Sequence, residues 1–267
     1  MIEEELQKEL REKYNPTGSE LRTFQLNLLE GLRHFDTICK ANDINYWLSS
    51  GTCLGAIRHG GFIPWDDDID VEMLREDYLK FVKVFTEDER YVLQTYKNDL
   101  YYTQPFPKFR SKDIIVDEGS GIADRNYKFK GLFIDVFVME PSPRFAATFC
   151  HLLVGSMRHF GYRIKKRNWA IDTLYRCIKN CVYGLIAISR LSCFFCNGNT
   201  LRHTLGTGLE RNIRKKGEIF PLGAAVFEGM NAPIPGNYDQ YLRRMFGNYM
   251  EIPKDIHTHN LHSKADE

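Results

Sequence analysis

Residues 62–73 read FIPWDDDIDVEM, an acidic run between apolar residues. From Asp68 onward, acidic and apolar residues alternate, which predicts a β-strand because successive strand side chains point to opposite faces. The alternation assigns Ile69, Val71 and Met73 to one face and Asp68, Asp70 and Glu72 to the other. The apolar residues on both sides favour a partly buried site over the alternative, a solvated acidic edge.

Four of the five residues from 66 to 70 are aspartates, an arrangement that is unfavourable by itself. Adjacent like charges repel, and aspartate is depleted in strands. Clustered carboxylate oxygens are the ligands that hard divalent cations prefer, so we predict Mg²⁺ or Mn²⁺ at Asp68 and Asp70. We expect a third carboxylate from Asp135, the lone charge in the apolar run of residues 131–138, unless it only caps a turn.

A glycine-containing turn precedes the acidic strand. Residues 51–59 read GTCLGAIRH and follow a strand-like run at 44–48. Backbone N–H groups at a helix start can bind phosphate, which makes Gly51, Thr52 and Gly55 candidate phosphate-binding residues. An ordinary strand–helix turn would have the same pattern. The short helix expected over 52–59 would return the chain beside the first strand, next to the carboxylates.

The remaining periodicities predict a mixed sheet with helices against it. Apolar residues recur at helical spacing over 19–41, where Ser19 is the expected N-cap, and over 75–85. Strand-like runs lie at 91–95, 113–116 and 132–138. This order predicts an α+β, or α/β-like, fold.

We expect a single catalytic domain over 1–267, in three parts. The core covers 19–140, and 141–216 is a basic, apolar helical insertion. That insertion has 14 Lys and Arg residues against two acids, a net charge of +12, which leaves −11 for the rest of the chain. Residues 217–267, interpreted as loops plus a helix over 238–246, are expected to pack back on the core.

Composition and charge exclude several classes of protein. A hydrophobic content of 43% and a net charge of +1 argue against a disordered chain and a general nucleic-acid binder. The N-terminus is acidic and no uncharged run reaches ~18 residues, so we expect a cytoplasmic protein with reduced thiols. Four cysteines lie in an apolar, helical stretch, so we expect them to be buried or to face a membrane: Cys177, Cys181, Cys193 and Cys196. Zinc binding or redox chemistry at these cysteines is the minor hypothesis.

The stretch from residue 51 to 71 resembles the signature of the LicD family, and GLFIDVF at 131–137 is similar to that family's second block. Residues 227–242 and 247–250 resemble its C-terminal block. The resemblance implies a nucleotidyltransferase-type fold related to fukutin and fukutin-related protein. In that fold a glycine turn precedes an acid-x-acid strand, and a third acid follows. Gly51-Thr52, Asp68 with Asp70, and Asp135 take these positions.

The resemblance also implies an activity. Family members transfer phosphocholine or a related phospho-alcohol from a CDP-linked donor such as CDP-choline to a sugar hydroxyl. Their acceptors are cell-surface glycans, such as lipopolysaccharide or teichoic acid, or lipid-linked glycan precursors. Asp68, Asp70 and Asp135 would be the metal-binding and catalytic residues, with Asp135 either a metal ligand or the general base. Four basic residues, which could equally be ordinary surface bases, are candidate phosphate contacts: Arg58, His59, Lys108 and Arg110.

The substrate depends on residues that the sequence does not single out. A quaternary ammonium would need aromatic faces, and most of the available aromatic residues are expected in the core. Trp65, Asp66 and Asp67 are candidate substrate-lining residues. Three other hypotheses stay open: an Asp-x-Asp glycosyltransferase or sugar-phosphate transferase that uses a nucleotide sugar, a glycan-binding module without activity, and a nucleotidyltransferase that makes nucleotide adducts.

A basic stretch at 158–167 precedes the apolar run at 181–196. Basic residues beside an apolar helix suit an anionic membrane surface, which would place the protein peripherally on the inner face of the membrane. The competing interpretation is a helical subdomain with a solvated basic face.

Overall fold

The computed structural model describes residues 2–118, 124–209, 212–253, 256 and 262–263. The helices are α1 Glu4–Tyr14, α2 Glu20–Ala41, α3 Ser50–His59, α4 Arg75–Val84, α5 Arg144–Arg163, α6 Trp169–Ser189, α7 Lys216–Ile219 and α8 Tyr238–Phe246. A 3-10 turn over Arg190–Phe195 continues α6. The strands are β1 Trp47–Leu48, β2 Asp70–Leu74, β3 Tyr91–Gln94, β4 Lys108–Asp117, β5 Gly131–Glu140, β6 Thr200–His203, β7 Arg214–Lys215, β8 Gly223–Phe227, β9 Met230–Ile234 and β10 His262–Ser263.

The strands form a mixed sheet in the order β1-β2-β5-β4-β10, with β3 also on β4, β6 also on β5, and β7 on β6. β2 and β5 are parallel, and the other pairs are antiparallel. β1 lies antiparallel to β2, so the short helix α3 does return the chain beside the first strand. The fold is α+β, as the sequence predicts.

One face of the sheet is the hydrophobic core. Val71 and Met73 of β2 are fully buried there, as the predicted alternation requires, and so is Ile69 just before it, although the strand begins at Asp70 and not at Asp68. Phe35 of α2 packs in the same cluster. The start of α2 is as predicted, because the Ser19 side chain accepts a hydrogen bond from the backbone N–H of Arg22.

A second core lies under the antiparallel helices α5 and α6. Their inward residues, including Cys150, Val154 and Tyr175, pack on Tyr101 and Tyr102 from the loop before β4. Lys179 fixes α6 to that loop, because its ammonium donates to the carbonyl oxygens of Asp99 and Leu100 at 2.6 and 2.7 Å. The region predicted to be helical is therefore two helices and a 3-10 turn.

The C-terminal segment shows where the sequence prediction was wrong. The tail was expected to hold loops and one helix, and α8 has the predicted bounds. However, β8 and β9 form an antiparallel hairpin that pattern reading missed. Pro233 and the Gly-Ala-Ala start of β8 weaken the strand signal, since proline and glycine are depleted in strands. Phe227 and Tyr241 from this segment pack in the main core.

Within the described residues, one helical run, Trp169–Phe195, is long and apolar enough to cross a membrane by length and composition. Only 11% of the most apolar 18-residue stretch of this run is buried in the protein. The sequence criterion of ~18 consecutive uncharged residues did not identify this run, because charged residues interrupt it.

Candidate active site

A row of polar side chains crosses three neighbouring strands. Asp70, the first residue of β2, lies in register with Asp135 of β5, and Asp135 lies in register with Lys108 of β4. In-register residues project from the same face of a sheet, and neighbouring strands are about 4.8 Å apart. The two predicted acids therefore stand side by side on the face opposite the core, with an ammonium next to them.

The backbone of the acidic strand is held to the start of α3. The N–H of Asp70 donates to the Thr52 hydroxyl at 2.8 Å, and the N–H of Ser49 donates to the Asp70 carbonyl at 3.0 Å. On the other side, the N–H of Asp135 donates to the carbonyl of Ile69 at 3.0 Å. Thr52 thus contributes its hydroxyl to the position of Asp70.

The glycine turn brings a further aspartate to this place. A methyl group on Gly51 would lie 2.9 Å from a carboxylate oxygen of Asp66, so the two residues are in close contact. The preceding residue, Ser50, has a positive φ of 46°. Its backbone N–H donates to the Tyr241 hydroxyl at 3.3 Å, and that hydroxyl also bonds Ser49. α8 therefore supports the turn that carries Gly51 and Thr52.

The electrostatics of this cluster favour added positive charge. Burial, and then the charges of Asp68 and Asp135, raise the pKa of Asp70 well above its usual value. Burial, and then Asp68 and Asp67, raise the pKa of Asp66 in the same way. Burial also raises the pKa of Asp135, although Lys108 opposes the shift. A bound cation or a proton would relieve these costs.

The donor set fits a hard cation, because it consists of carboxylate oxygens. Asp135 supplies one oxygen that is buried without a hydrogen bond, and its nearest recorded cation is the Lys108 ammonium at 3.5 Å. Over the described ranges, no three His, Cys, Asp or Glu side chains are already arranged as a metal-binding group. The metal site at Asp68, Asp70 and Asp135 therefore stays a prediction.

Lys108 and Arg110 lie on the same face of β4 but have different surroundings. Both side chains are buried and contact Glu118, at 3.0 Å for Lys108, and Lys108 also lies 3.5 Å from Asp135. Arg110 donates to Gln94, to the carbonyl of Gly131 and to Glu118. Although burial opposes it, the two cations hold the pKa of Glu118 below its usual value. Only Lys108 reaches a predicted catalytic residue, and a phosphate role for either residue stays a prediction.

Arg58 and His59 have structural contacts. The Arg58 guanidinium is buried and donates to the carbonyl oxygens of Tyr249 and Glu251, which ties α3 to the C-terminal segment. Its Nε donates to His59 Nε2, and His59 Nδ1 donates to Gln7. Burial, and then Arg58, lower the pKa of His59 to about 3. None of these contacts supports the predicted phosphate role, and none tests it.

Sequence reasoning missed a buried charge network two residues after Asp70. Glu72 is fully buried, and Arg214 donates to it at 2.8 Å. Trp47 donates its indole N–H to Glu72 at 2.9 Å, and Tyr241 contacts the same oxygen at 3.4 Å. The position of Glu72 on the polar face of a strand was the available signal for this network. Its partner could not be identified, because Arg214 is 142 residues away and lies in a basic run.

The candidate substrate-lining aromatic residue is Trp65. It is half-buried and packs edge-on to Tyr14 at 5.4 Å and His59 at 6.0 Å. A separate crevice of about 310 Å³ lies between α4, β3 and α6. Its lining includes Tyr78, Tyr96 and Tyr183 but not the carboxylates of the row, so the predicted catalytic residues do not line it.

Comparison with known proteins gives a family and several relatives. Residues 43–145 match the family described as LicD/FKTN/FKRP, nucleotidyltransferase domain. Lipopolysaccharide cholinephosphotransferase LicD from Haemophilus influenzae is 27% identical, over 88% of this chain and 93% of its own length. Human ribitol 5-phosphate transferase FKRP is 44% identical over 50 residues, which are 19% of this chain and 10% of that protein. Mouse ribitol-5-phosphate transferase FKTN is 49% identical over 35 residues, 13% of this chain and 8% of that protein.

Proposed function

Because this chain carries a LicD-family nucleotidyltransferase domain, we propose that it is a metal-dependent phosphotransferase. It transfers phosphocholine, or a related phospho-alcohol, from a CDP-linked donor to a sugar hydroxyl. The acceptor is a cell-surface glycan or its lipid-linked precursor, of the lipopolysaccharide or teichoic acid kind. The protein acts on the cytoplasmic side, peripherally at the membrane.

The observation that carries this proposal is the register of Asp70 with Asp135, beside a helix start that holds Asp70 through Thr52. Two adjacent carboxylates next to backbone N–H groups suit a bound cation and a pyrophosphate together. Phosphoryl transfer depends mainly on positioning and charge stabilisation, so this arrangement supplies what the reaction needs.

The reaction exchanges one phosphorus–oxygen bond for another. The acceptor hydroxyl oxygen attacks the phosphorus that bears the alcohol, the bond to the CMP oxygen breaks, and CMP leaves. Asp68 and Asp70 would hold Mg²⁺ or Mn²⁺, which would neutralise the pyrophosphate and the leaving phosphate. Asp135 could be a third ligand of the ion or the acceptor of the hydroxyl proton, and we propose the acceptor because it lies beside Asp70 with one buried oxygen that makes no hydrogen bond.

Lys108 positions the candidate base. Its ammonium lies 3.5 Å from Asp135 and 3.0 Å from Glu118, so it fixes the position of the candidate base. It also lies 3.2 Å from the centroid of the Phe133 ring, which limits its movement. We propose that Lys108 orients Asp135, while the start of α3 contacts the donor phosphates.

Phosphocholine is the first choice of donor group. The cholinephosphotransferase relative aligns with 88% of this chain, whereas the ribitol phosphate transferases align over short stretches. Trp65, next to the aspartate run, would offer an aromatic face to a quaternary ammonium. Ribitol or glycerol phosphate would not need that face.

Product analysis tests the proposed activity. The protein, Mg²⁺, CDP-choline and a glycan acceptor are incubated, and ³¹P NMR follows the pyrophosphate. We expect CMP and a new phosphodiester with wild type and with Asp113→Asn, an exposed control on β4, but not with Asp135→Asn. Transfer of sugar from UDP-glucose, with no phosphodiester from any CDP-alcohol, would replace this proposal with the glycosyltransferase hypothesis.

A further inference from the structure

The outer surface of the helical insertion is unusually apolar. Of twenty exposed large apolar residues in the described chain, eleven lie between 145 and 195. The most exposed are Trp169, Phe194 and Phe195, at 83%, 84% and 90%. Exposed patches of this kind mark surfaces that bind a partner or a membrane.

The exposed residues follow helical stripes. On α5, Phe145, Phe149 and Leu152 recur every three or four positions on the side away from the second core. On α6 the outward stripe consists of uncharged residues: Leu174, Cys177, Cys181, Leu185 and Ile188. Both helices turn their other sides to the same core cluster, so both stripes face away from the protein.

Basic residues lie beside the apolar stripes. The turn between α5 and α6 exposes Lys165 and Lys166, and Arg163 is exposed at the end of α5. Trp169 follows this turn directly. A basic cluster next to an exposed tryptophan and an apolar helix face is complementary to anionic lipid headgroups over acyl chains.

We propose that the outward face of α5, α6 and the 3-10 turn lies on an anionic lipid bilayer. This docking surface is defined by Phe145, Trp169, Leu174, Ile188, Phe194 and Phe195, with Lys165 and Lys166 at its edge. The proposal deepens the proposed function, since it names the surface that meets a membrane-borne acceptor.

The helix lies on the membrane and does not cross it. Lys179, on the inward side of α6, donates to two carbonyl oxygens of the loop before β4. Tyr183 stacks on Tyr96 at 3.7 Å between ring centroids, and Arg190 donates to Glu140 at 3.0 Å. A spanning helix would break all three contacts and place the Lys179 ammonium in hydrocarbon.

A second copy of the chain is a poorer occupant. A twofold dimer through this face would place the basic edges of two copies, each with Lys165 and Lys166, at one interface. Like charges at such an interface repel. An anionic bilayer satisfies the apolar stripes and the basic cluster together.

Vesicle binding tests the proposal independently of catalysis. Sucrose-loaded vesicles of phosphatidylcholine, with or without phosphatidylglycerol, are sedimented with the protein. We expect binding to anionic vesicles that is at least about tenfold stronger than to neutral ones, because each basic residue near the surface contributes. Lys165→Glu with Lys166→Glu should remove that preference.

The apolar part of the surface is tested in the same assay. Phe194→Ser with Phe195→Ser should weaken binding at least about tenfold, because both side chains would otherwise enter the bilayer. Leu26→Ser, at an exposed position of α2, is the matched control and should bind like wild type. Trp169 fluorescence should shift to the blue on binding, and the shift should vanish in Trp169→Phe.

Four outcomes would overturn the proposal. The first is that the wild type does not bind vesicles, and the second is that the Phe194/Phe195 variant binds them as strongly as the wild type does. The third is that the bound protein resists extraction by alkaline carbonate, as a membrane-spanning protein does. The fourth is that the wild type forms a dimer in place of binding vesicles, which the Phe194/Phe195 substitutions dissociate. Transfer to a soluble glycan should not change in the Phe194/Phe195 variant. Loss of vesicle binding with retained transfer therefore separates this inference from the proposed function.

Discussion

Replacing Asp70 by asparagine should abolish transfer and at the same time stabilise the metal-free protein. Asp70 and Asp135 lie in register on adjacent strands, and each has a pKa raised by burial. Two charges about 5 Å apart repel by about 3 kcal/mol at an effective dielectric constant of about 20. Lys108 offsets part of this repulsion at Asp135, so we expect a gain of about 1–2 kcal/mol in the free energy of unfolding.

The pH dependence of this gain has a defined sign. The folded pKa of Asp70 lies above its unfolded value, so the metal-free wild type loses stability as the pH rises through the folded pKa. The difference between Asp70→Asn and wild type should therefore be large at pH 8 and shrink in acid. Urea unfolding in EDTA at several pH values measures it, and Asp113→Asn controls for the loss of one charge.

Metal should reverse the order of stability. Mg²⁺ should raise the melting temperature of wild type but not of Asp70→Asn, because the variant lacks a charged ligand. A loss of more than about 2 kcal/mol in Asp70→Asn without metal would refute the reasoning and make this carboxylate a structural residue.

Three further predictions concern the residues around the site. Lys108→Met leaves Asp135 and Glu118 without their shared cation and should cost about 2–4 kcal/mol in urea unfolding; a loss below about 1 kcal/mol would contradict the positioning role. Gly55→Ala should lower the free energy of unfolding by more than about 2 kcal/mol, because its methyl group would lie 2.4 Å from the Gly61 carbonyl oxygen. The methyl group of Gly51→Ala would meet only the end of the Asp66 side chain, so this variant should keep the fold. Equal melting temperatures for the two variants would refute this prediction. His203 has its pKa lowered to about 4, by burial first, so the unfolded chain takes up a proton below about pH 6.5 before the folded chain does. Wild type should therefore lose up to about 2 kcal/mol between pH 7 and 5, and His203→Gln should lose less; identical urea midpoints at the two pH values would contradict it.

The sequence predicted the features that depend on local periodicity. The alternation on β2, the N-cap at Ser19 and the bounds of α8 follow from side-chain spacing and capping chemistry, and the structure has all three. The adjacency of Asp70 and Asp135 needed only one further step, the pairing of two apolar strands. Local rules were sufficient because each of these features lies within one element or one strand pair.

The rest depends on contacts between distant residues. Glu72 was grouped with the acidic face, but its partner Arg214 comes from β7, and no local signal separates that arginine from its basic neighbours. Arg58 stays a predicted phosphate contact, but no local signal indicated that its guanidinium donates to carbonyl oxygens of the C-terminal segment. Glu118, which binds Lys108 and Arg110, lies just after β4 and has no periodicity to mark it.

We expect the site to bind a CDP-alcohol together with a divalent cation. A thermal-shift series with Mg²⁺ and CDP-choline, CDP-ribitol, CDP-glycerol, UDP-glucose or GDP-mannose tests it most directly. We predict a rise of about 5 °C or more with CDP-choline at a hundredfold excess over its dissociation constant, dependent on Mg²⁺ and absent in Asp70→Asn. A shift with UDP-glucose or GDP-mannose, and none with any CDP-alcohol, would contradict the claim.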